Sequence, residues 1–492
     1  MPIRSGHQFI QALRVHPRDV WVEGVRVEDV TTHPAFSANI ATIAQHYDMQ
    51  FDPRFADRLT YIEPETGERA STALMPARSA AEVQRRSDAY RVQAEASFGV
   101  MGRSSHFMSA VVLAFYENRC LFAEADAKYA ENMASYYRYV RDNDLLLSHA
   151  LITPQNDRSR ASHEQAEENL HLRVVDENAD GIVVKGARML ATLGPIADEI
   201  LMYHLPSNVR PGDENHCLVF AVPADAPGLR QIARLPYAVN GSPFDHPLAS
   251  RFEESDSLLI FNDVFVPWER VFSIRDVDIA RKLLPHQGSY AAHVSQVRAL
   301  VKLQFSVGLA IALAQSIKVD GFLHVQQMLG EGVTYLELLK SSLYRAEHDV
   351  ETTPTGAVRC SAMPLQSVAR MMPRFYPRIV EIIQTIGAGG LMMMPSGADF
   401  TAPEIADDVA RHFQGAEGVT AVDRVRLFKL AWDLTGEAFG SRAVQYERYY
   451  TGDPVRIMAQ AYTNYKDPVP HDLVAAAVAL AGDPPALQPT LI

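Results

Sequence analysis

The stretch LLSHALITPQNDRS, residues 146–159, stands where the character of the sequence changes. Before it, segments such as residues 121–149 repeat apolar side chains every three or four positions between charges, which indicates amphipathic helices. After it, short β-branched runs interrupted by Asp-Gly, Pro and Asn-Asp predict strands up to about residue 272. This pattern places His149 at the end of the last N-terminal helix, next to a polar loop.

The order of helix, sheet and helix predicts an α+β fold with three parts. They are an N-terminal α-helical domain over residues 1–148, a central antiparallel β domain over 149–272, and a C-terminal helical bundle and tail over 273–492. The apolar surplus of the long C-terminal segments, such as residues 293–317, favours burial between subunits as well as within one. The end of the chain, residues 482–492, is predicted to be a surface tail.

Composition narrows the classes of function. A net charge of −13 argues against nucleic acid or an anionic membrane as a partner, because there is no basic excess. The most apolar helical stretches are about half the roughly twenty residues needed to span a bilayer, so no membrane segment is expected. The three cysteines, Cys120, Cys217 and Cys360, are too far apart for a CxxC metal site or a disulfide framework. We therefore expect a cytoplasmic protein without a bound metal.

The segment GVMGRSSHFMSAVV, residues 99–112, places a permanent cation beside a break in helical periodicity. Gly102 makes the break, Arg103 follows directly, and Phe107 comes one turn later. Arg103 is either a solvated surface arginine or an arginine that holds an anion over an aromatic pocket. The sequence leaves both interpretations open.

His149 also has two interpretations. A lone histidine on an apolar face is most often a satisfied core residue. However, the loop after it offers Gln155, Asn156, Asp157 and Arg158, a density of polar groups suited to a planar heterocycle with a pyrophosphate tail. An ordinary capped loop remains the alternative.

Two further segments carry candidate ligand contacts. Thr192 lies among small residues, where its hydroxyl would either reach a ligand or be satisfied by its own backbone. In residues 381–400, Gln384 precedes Gly387 and two more glycines, but the spacing is not that of a dinucleotide-binding fingerprint. Helix packing or a subunit contact explains these glycines equally well.

Four segments together resemble the 4-hydroxyphenylacetate 3-monooxygenase oxygenase-component family: SHALITPQNDRS, GIVVKGARMLATLGPIADEI, FNDVFVPWERVF and YERYYTGDPVR. The similarity runs from about residue 5 to residue 470. It implies an acyl-CoA dehydrogenase-like fold with a C-terminal four-helix bundle, assembled as a homotetramer or dimer of dimers. It also implies a monooxygenase that receives FADH2 from a separate NAD(P)H:flavin reductase. Reaction with O2 would give a C4a-hydroperoxyflavin that hydroxylates an aromatic ring ortho to its phenolic hydroxyl.

The resemblance also assigns roles to individual residues. Arg103 and His149 would be catalytic, with Arg103 favouring the phenolate and His149 accepting or sharing its proton near a useful pKa. The substrate-binding residues would be Arg103, Phe107, His149 and Ser207. The cofactor-binding residues would be His149, Ala150, Leu151, Gln155, Asn156, Asp157, Arg158 and Thr192, together with Gln384, Gly387, Thr451, Gly452 and Asp453, which would lie near a neighbouring subunit.

One departure from the family leaves the substrate open. Phenol-hydroxylating members carry a tyrosine at the position of Phe107, which cannot donate a hydrogen bond to a phenolic oxygen. A free phenol, a larger or carrier-tethered phenol, and a non-phenolic aromatic such as an indole are all compatible. An acyl-thioester flavin dehydrogenase or dehydratase of the same fold is the alternative activity, although no carboxylate base is singled out. A non-catalytic protein that binds flavin is the third hypothesis.

Overall fold

The computed structural model describes residues 3–206, 209–239, 241–353 and 355–482. The helices are α1 (Gly6–Val15), α2 (Pro34–Asp48), α3 (Ala56–Leu59), α4 (Ala80–Ala96), α5 (Ser105–Glu117), α6 (Cys120–Ala123), α7 (Ala127–Asn143), α8 (Ala249–Phe252), α9 (Val277–Ser316), α10 (Leu323–His348), α11 (Ala362–Met392), α12 (Ala406–His412), α13 (Ala421–Thr435), α14 (Ala438–Tyr449), α15 (Pro454–Thr463) and α16 (Val469–Leu480). The strands are β1 (Asp19–Val22), β2 (Val25–Arg26), β3 (Thr60–Ile62), β4 (Arg69–Ser71), β5 (Leu147–Ala150), β6 (Arg173–Glu177), β7 (Gly181–Thr192), β8 (Glu199–Met202), β9 (Leu218–Pro223), β10 (Leu229–Ala233), β11 (Asp256–Pro267), β12 (Val271–Ile274), β13 (Glu351–Thr352) and β14 (Val358–Arg359).

The centre of the molecule is built from two sheets. One has six strands in the order β2-β1-β10-β11-β7-β6, and the other has four in the order β12-β9-β8-β5. Most neighbouring strands are antiparallel, as predicted, but β1 pairs with β10 and β5 pairs with β8 in parallel. These two exceptions involve strands that enter the sheets from the helical N-terminal part of the chain, over connections too long for hairpins. The N-terminal part is therefore not purely helical.

Residues 146–159 do not form the end of a helix. Helix α7 ends at Asn143, and Asp144 follows in the left-handed conformation with φ of 48°. Residues 147–150 then form β5, all four of them buried. The prediction that His149 closes a helix is therefore wrong, because a short apolar run suits a buried strand as well as a helix, and pairing with β8 decides between them.

The C-terminal half is a helical bundle around α9, which packs against α10, α11 and α13. Helix α9 begins at an aspartate cap, where the side chain of Asp276 accepts a hydrogen bond from the Ile279 amide at 2.8 Å. By length and composition alone α9 is apolar enough to cross a membrane, but most of its apolar stretch is buried inside the protein, as in a core helix. The fold class of two helical parts flanking a β part is confirmed.

The last two described helices lie on the outside of the bundle. Helices α15 and α16 contain no buried residue, yet both carry large apolar side chains. In α16, Leu473, Val474 and Val478 are each more than 60% exposed. A helix that is apolar and unburied within one chain is expected to pack against another surface. Residues 483–492 of the predicted surface tail lie outside the described residues.

Candidate active site

Arg103 lies in the loop between α4 and α5, held against aromatic rings. Its guanidinium donates a hydrogen bond to the Tyr446 hydroxyl and lies 4.1 Å from the centroid of the Phe107 ring. Its backbone amide donates to the buried carboxylate of Glu254. A Cβ atom on Gly102 would clash with the Tyr446 ring, so a glycine is required for this close approach. Arg103 is therefore a positioned, half-buried cation rather than a free surface arginine.

His149 is buried at 6% exposure, and its Nδ1 lies 2.6 Å from the hydroxyl of Tyr203. Its ring meets the edge of Phe107, with centroids 5.6 Å apart. Burial, and after it the positive charge of Arg103, lower the pKa of His149 well below its ordinary value. The imidazole is therefore neutral at physiological pH. Without a ligand, this lowered pKa differs from the expected value near the range useful for accepting a proton.

One hydrogen bond connects the strand that carries His149 to Thr192, and a second connects Thr192 to Asp256. Ser148, the residue before His149, donates from its hydroxyl to the Thr192 carbonyl at 2.7 Å. The Thr192 hydroxyl donates in turn to Asp256 Oδ1 at 2.8 Å. The Thr192 side chain is thus satisfied by a carboxylate on the neighbouring strand, not by its own backbone. The ends of β5 and β7 meet here, which brings the histidine and the threonine into one site.

Asp256 belongs to a buried ionic network. Arg442 donates to Asp256 through Nε and Nη2 at 3.0 and 2.9 Å, and to Glu254 through Nη1 at 3.2 Å. Burial opposes ionisation of Asp256, but Arg442 and Arg234 outweigh it and lower the pKa of this carboxyl. Because Glu254 also binds the Arg103 amide, the network links the arginine loop to the threonine.

Thr192 lies on the open face of the six-stranded sheet. It pairs with Asp256, and Ala187 pairs with Ile260, so all four side chains lie on the same face. That face borders a cleft of about 800 Å³ that Asn156, Ala187 and Ile260 help to line. The apolar floor of this cleft, with the Asn156 amide in its lining, fits a planar ring system, and Thr192, which is 9% exposed, lies on the same strand as Ala187 but outside the lining. We name these residues, Thr192, Ala187, Ile260 and Asn156, the ring face.

The predicted loop after His149 is mostly exposed. Ala150 is buried and Leu151 half-buried, whereas Gln155 and Arg158 lie on the surface. The Asp157 carboxylate accepts hydrogen bonds from the amide and hydroxyl of Ser159 at 3.0 and 2.6 Å, which closes a turn. Of the residues from Gln155 to Arg158, only Asn156 lines the cleft.

The remaining predicted contacts lie in the C-terminal helices. Gln384 donates its amide to the Thr435 carbonyl at 2.9 Å, and a Cβ atom on Gly387 would lie 2.5 Å from Leu391 within the same helix. Asp453 caps α15 by accepting from the Arg456 amide at 2.9 Å. Gly452 has φ of 111°, and the buried Thr451 hydroxyl has no hydrogen-bond partner among the described residues. Ser207 lies outside the described residues.

Sequence reasoning missed several residues of this site. The most important are Tyr203, which contacts His149, and Asp256 with Arg442, which hold Thr192. Tyr446 lies in the segment YERYYTGDPVR, whose pattern carried the resemblance without marking the tyrosine as a partner of Arg103. The others carry no local signal, since strand pairing and helix packing bring them in from distant parts of the chain.

Comparison with known proteins gives consistent matches. The family described as 4-hydroxyphenylacetate 3-hydroxylase matches with its N-terminal part over residues 5–273 and its C-terminal part over 280–478. The 4-hydroxyphenylacetate 3-monooxygenase oxygenase component of Geobacillus sp. is 40% identical, over 94% of this chain and 93% of its own. That of Thermus thermophilus is also 40% identical, over 94% and 95%. A crystal structure of such a component complexed with FAD and 4-hydroxyphenylacetate is 38% identical with a TM-score of 0.90, covering 96% of this chain and 98% of that one.

Proposed function

The chain belongs to the 4-hydroxyphenylacetate 3-hydroxylase family, and we propose that it hydroxylates a phenol ortho to the hydroxyl group. It is a flavin-dependent monooxygenase that uses FAD and O2. As an oxygenase component it works with a separate reductase, which in our proposal is an NAD(P)H:flavin reductase that supplies FADH2. The observation that carries the choice of a phenol is the cation of Arg103 next to a neutral, buried His149.

Reduced FAD bound at the ring face would supply two electrons to O2, so that one oxygen atom is transferred to the substrate and the other leaves as water. Thr192 would face the flavin ring. Because its hydroxyl already donates a hydrogen bond to Asp256, its lone pairs would accept a hydrogen bond from an N–H of the reduced ring. Further contacts are assigned by family resemblance. They are His149, Ala150, Leu151, Gln155, Asn156, Asp157 and Arg158 from the same chain, and Gln384, Gly387, Thr451, Gly452 and Asp453 at the contact with a neighbouring subunit.

The substrate oxygen would lie between Arg103 and His149. Arg103 favours an ionised oxygen by Coulomb attraction, which raises the electron density of the ring that receives the new oxygen atom. Phe107 forms an apolar wall against both residues and helps keep water from the reacting centre. Ser207 is proposed as a further substrate contact by resemblance alone.

We further propose that the enzyme is a cytoplasmic homotetramer. The support is the unburied apolar surface of α15 and α16, which a neighbouring copy of the chain would cover. The substrate is a small phenol or a phenol tethered to a carrier, with the ring as the recognised part in both cases.

A substrate panel tests the proposal. The protein is supplied with FADH2 by an added flavin reductase and offered simple 4-hydroxyphenyl acids, larger and carrier-linked phenols, their O-methyl ethers, and indoles. Free phenols are expected to be hydroxylated ortho to the oxygen, and the ethers to react far more slowly because they cannot ionise. Ethers or indoles that react as fast as the phenols would contradict phenolate chemistry. Formation of an enoyl thioester without a reductase would favour the dehydrogenase alternative.

A further inference from the structure

We propose that Tyr203 is a positioning residue that fixes the single ring proton of His149 on Nε2, so that His149 donates a hydrogen bond to a phenolate oxygen. The inference rests on the proposed function for the identity of the ligand. It goes beyond that function in naming the residue that sets the direction of the hydrogen bond. It also means that His149 cannot act as the base that accepts the phenol proton, because its Nε2 already carries a proton.

The backbone brings the two side chains together. In the parallel pair of β5 and β8, His149 lies opposite Leu201 and Ala150 opposite Met202, and Tyr203 follows directly after β8. The Tyr203 hydroxyl lies 2.6 Å from His149 Nδ1, and the two ring centroids are 5.5 Å apart. Tyr203 is 1% exposed, and its ring is also packed edge-on against Phe115. Its hydroxyl therefore has little freedom to turn elsewhere.

A count of protons gives the direction of this hydrogen bond. A buried phenol has one O–H that needs an acceptor. In the part of the chain that the structure describes, His149 Nδ1 is the acceptor found within bonding distance of it. Burial raises the pKa of Tyr203 far above its ordinary value, despite Arg103 and a hydrogen bond with Gln287, so the O–H proton is retained. With the Gln287 amide donating to the Tyr203 oxygen, a His149 that also donated from Nδ1 would leave the Tyr203 proton without an acceptor, unless the Gln287 amide turned its unpaired Oε1 toward it.

The consequence appears on the opposite side of the imidazole. A neutral histidine carries one N–H, so when Nδ1 accepts, Nε2 must hold the proton. His149 is neutral because it is buried and lies near Arg103. Its Nε2 makes no hydrogen bond to the described residues, which leaves this donor for a ligand. Arg103 and His149 would then both donate to one oxygen, which favours phenolate over phenol.

4-Nitrophenol is a suitable probe, because its absorbance distinguishes the bound phenolate from the bound phenol without flavin or turnover. The flavin-free protein is titrated with 4-nitrophenol from pH 5 to 9, and the apparent pKa of the bound ligand is measured. We expect the wild type to lower it, and Tyr203→Phe to weaken nitrophenolate binding about five- to tenfold, the cost of losing one hydrogen bond that orients the donor. Tyr290→Phe is the matched control, since this buried hydroxyl has no partner among the described residues. Equal nitrophenolate affinity in Tyr203→Phe and the wild type would overturn the inference.

A second measurement needs neither ligand nor a Tyr203 variant. In 15N-histidine-labelled protein, the ring resonances that vanish in His149→Gln belong to His149. We expect Nε2 to be protonated and Nδ1 unprotonated at neutral pH, and the reverse would refute the role of Tyr203. If the protein binds and hydroxylates no phenol, the proposed function fails, while this spectrum still decides which nitrogen carries the proton.

Discussion

The Thr192 hydroxyl and the Asp256 carboxylate form a 2.8 Å hydrogen bond across the pair of β7 and β11, and Arg442 holds the same carboxylate from the helical bundle. Since an ionised carboxylate only accepts, the Thr192 proton is fixed and its lone pairs face the remaining space. Such a hydroxyl can accept from an N–H of a reduced flavin but cannot donate to the bare ring nitrogen of an oxidised one. We therefore expect the protein to prefer FADH2 over FAD.

Asp256→Asn should weaken that preference. An asparagine can donate to Thr192 and so release its proton, and we expect the ratio of the two affinities to fall about fivefold or more, the size of one hydrogen bond. Anaerobic calorimetry with FADH2 and with FAD measures this ratio. Asp263→Asn, at an exposed position of the same strand, is the control. A wild-type protein that binds both redox states equally would contradict the orientation assigned to Thr192.

Arg103→Ala should leave FADH2 affinity nearly unchanged and remove most hydroxylation. Losing a charge-assisted hydrogen bond in a dry site costs roughly 2 to 4 kcal/mol in transition-state stabilisation. Single-turnover hydroxylation and flavin titration, with Arg119→Ala as a half-buried control, separate the two effects. Loss of flavin binding with phenol binding intact would show that Arg103 serves the cofactor instead.

Phe107→Tyr tests how the pocket selects its substrate. The new hydroxyl would enter beside Arg103 and His149, where the Phe107 ring now packs against both. If the natural substrate is a small phenol, turnover of simple 4-hydroxyphenyl acids should stay level or rise. If a larger ring packs on Phe107, the unpaired hydroxyl should cost about 1 to 3 kcal/mol in its turnover while 4-hydroxyphenylacetate gains. Steady-state kinetics on both classes of phenol distinguish these outcomes, and unchanged kinetics with both would place Phe107 outside the substrate pocket.

The sequence predicted the fold class because helical and strand periodicities change near residues 146 and 272, and because four segments resemble one family. It misplaced His149, since three leucines before it fit a helix end as well as a buried strand. It named Arg103 and Thr192 as candidate site residues but not the residues that hold them in place. Asp256 lies 64 residues from Thr192 in the sequence and reaches it by strand pairing, and Tyr446 lies 343 residues from Arg103 and reaches it by helix packing. A local sequence pattern cannot indicate contacts at such separations.

His293 gives a prediction for stability against pH. Burial opposes its protonation, but the neighbouring Cys360 and Glu347 raise the pKa of His293 from 6.5 to about 9, and its Nε2 lies 3.1 Å from Glu347. Because the pKa of His293 is higher in the folded state than in the unfolded state, protonation of His293 stabilises the folded protein. This stabilisation is complete below the unfolded-state pKa of 6.5 and is lost as the pH rises through about 9. The full effect is on the order of 3 kcal/mol, because each tenfold change in proton affinity is worth about 1.4 kcal/mol.

Thermal denaturation of the wild type and His293→Gln between pH 6 and 9.5 checks this. The difference in Tm should be largest near pH 6 and shrink as the pH approaches 9. His348→Gln, an exposed histidine of α10, is the control, and its Tm difference should stay small throughout. A His293→Gln deficit that is constant with pH would show that the histidine contributes packing but no titrating charge.

Substitution of apolar residues in α16 tests the assembly. Leu473→Glu with Val478→Glu would place two carboxylates on a surface that a second copy of the chain would cover. We expect light scattering coupled to size exclusion to show a smaller particle, with unchanged helical circular dichroism. Asp472→Ala, on the same helix, should leave the particle size unchanged. The same mass for the double variant and the wild type would exclude α16 from the interface.

Different parts of the chain supply the two halves of the site. Phe107 comes from α5, whereas the ring face comes from β7, β11 and the loop at Asn156. If Phe107 contacts the substrate and the ring face holds the flavin, as proposed, substitutions in α5 can change which phenols are accepted while leaving the reaction with oxygen unaltered. Directed evolution toward new aromatic substrates should accordingly randomise α5 and keep the β strands constant.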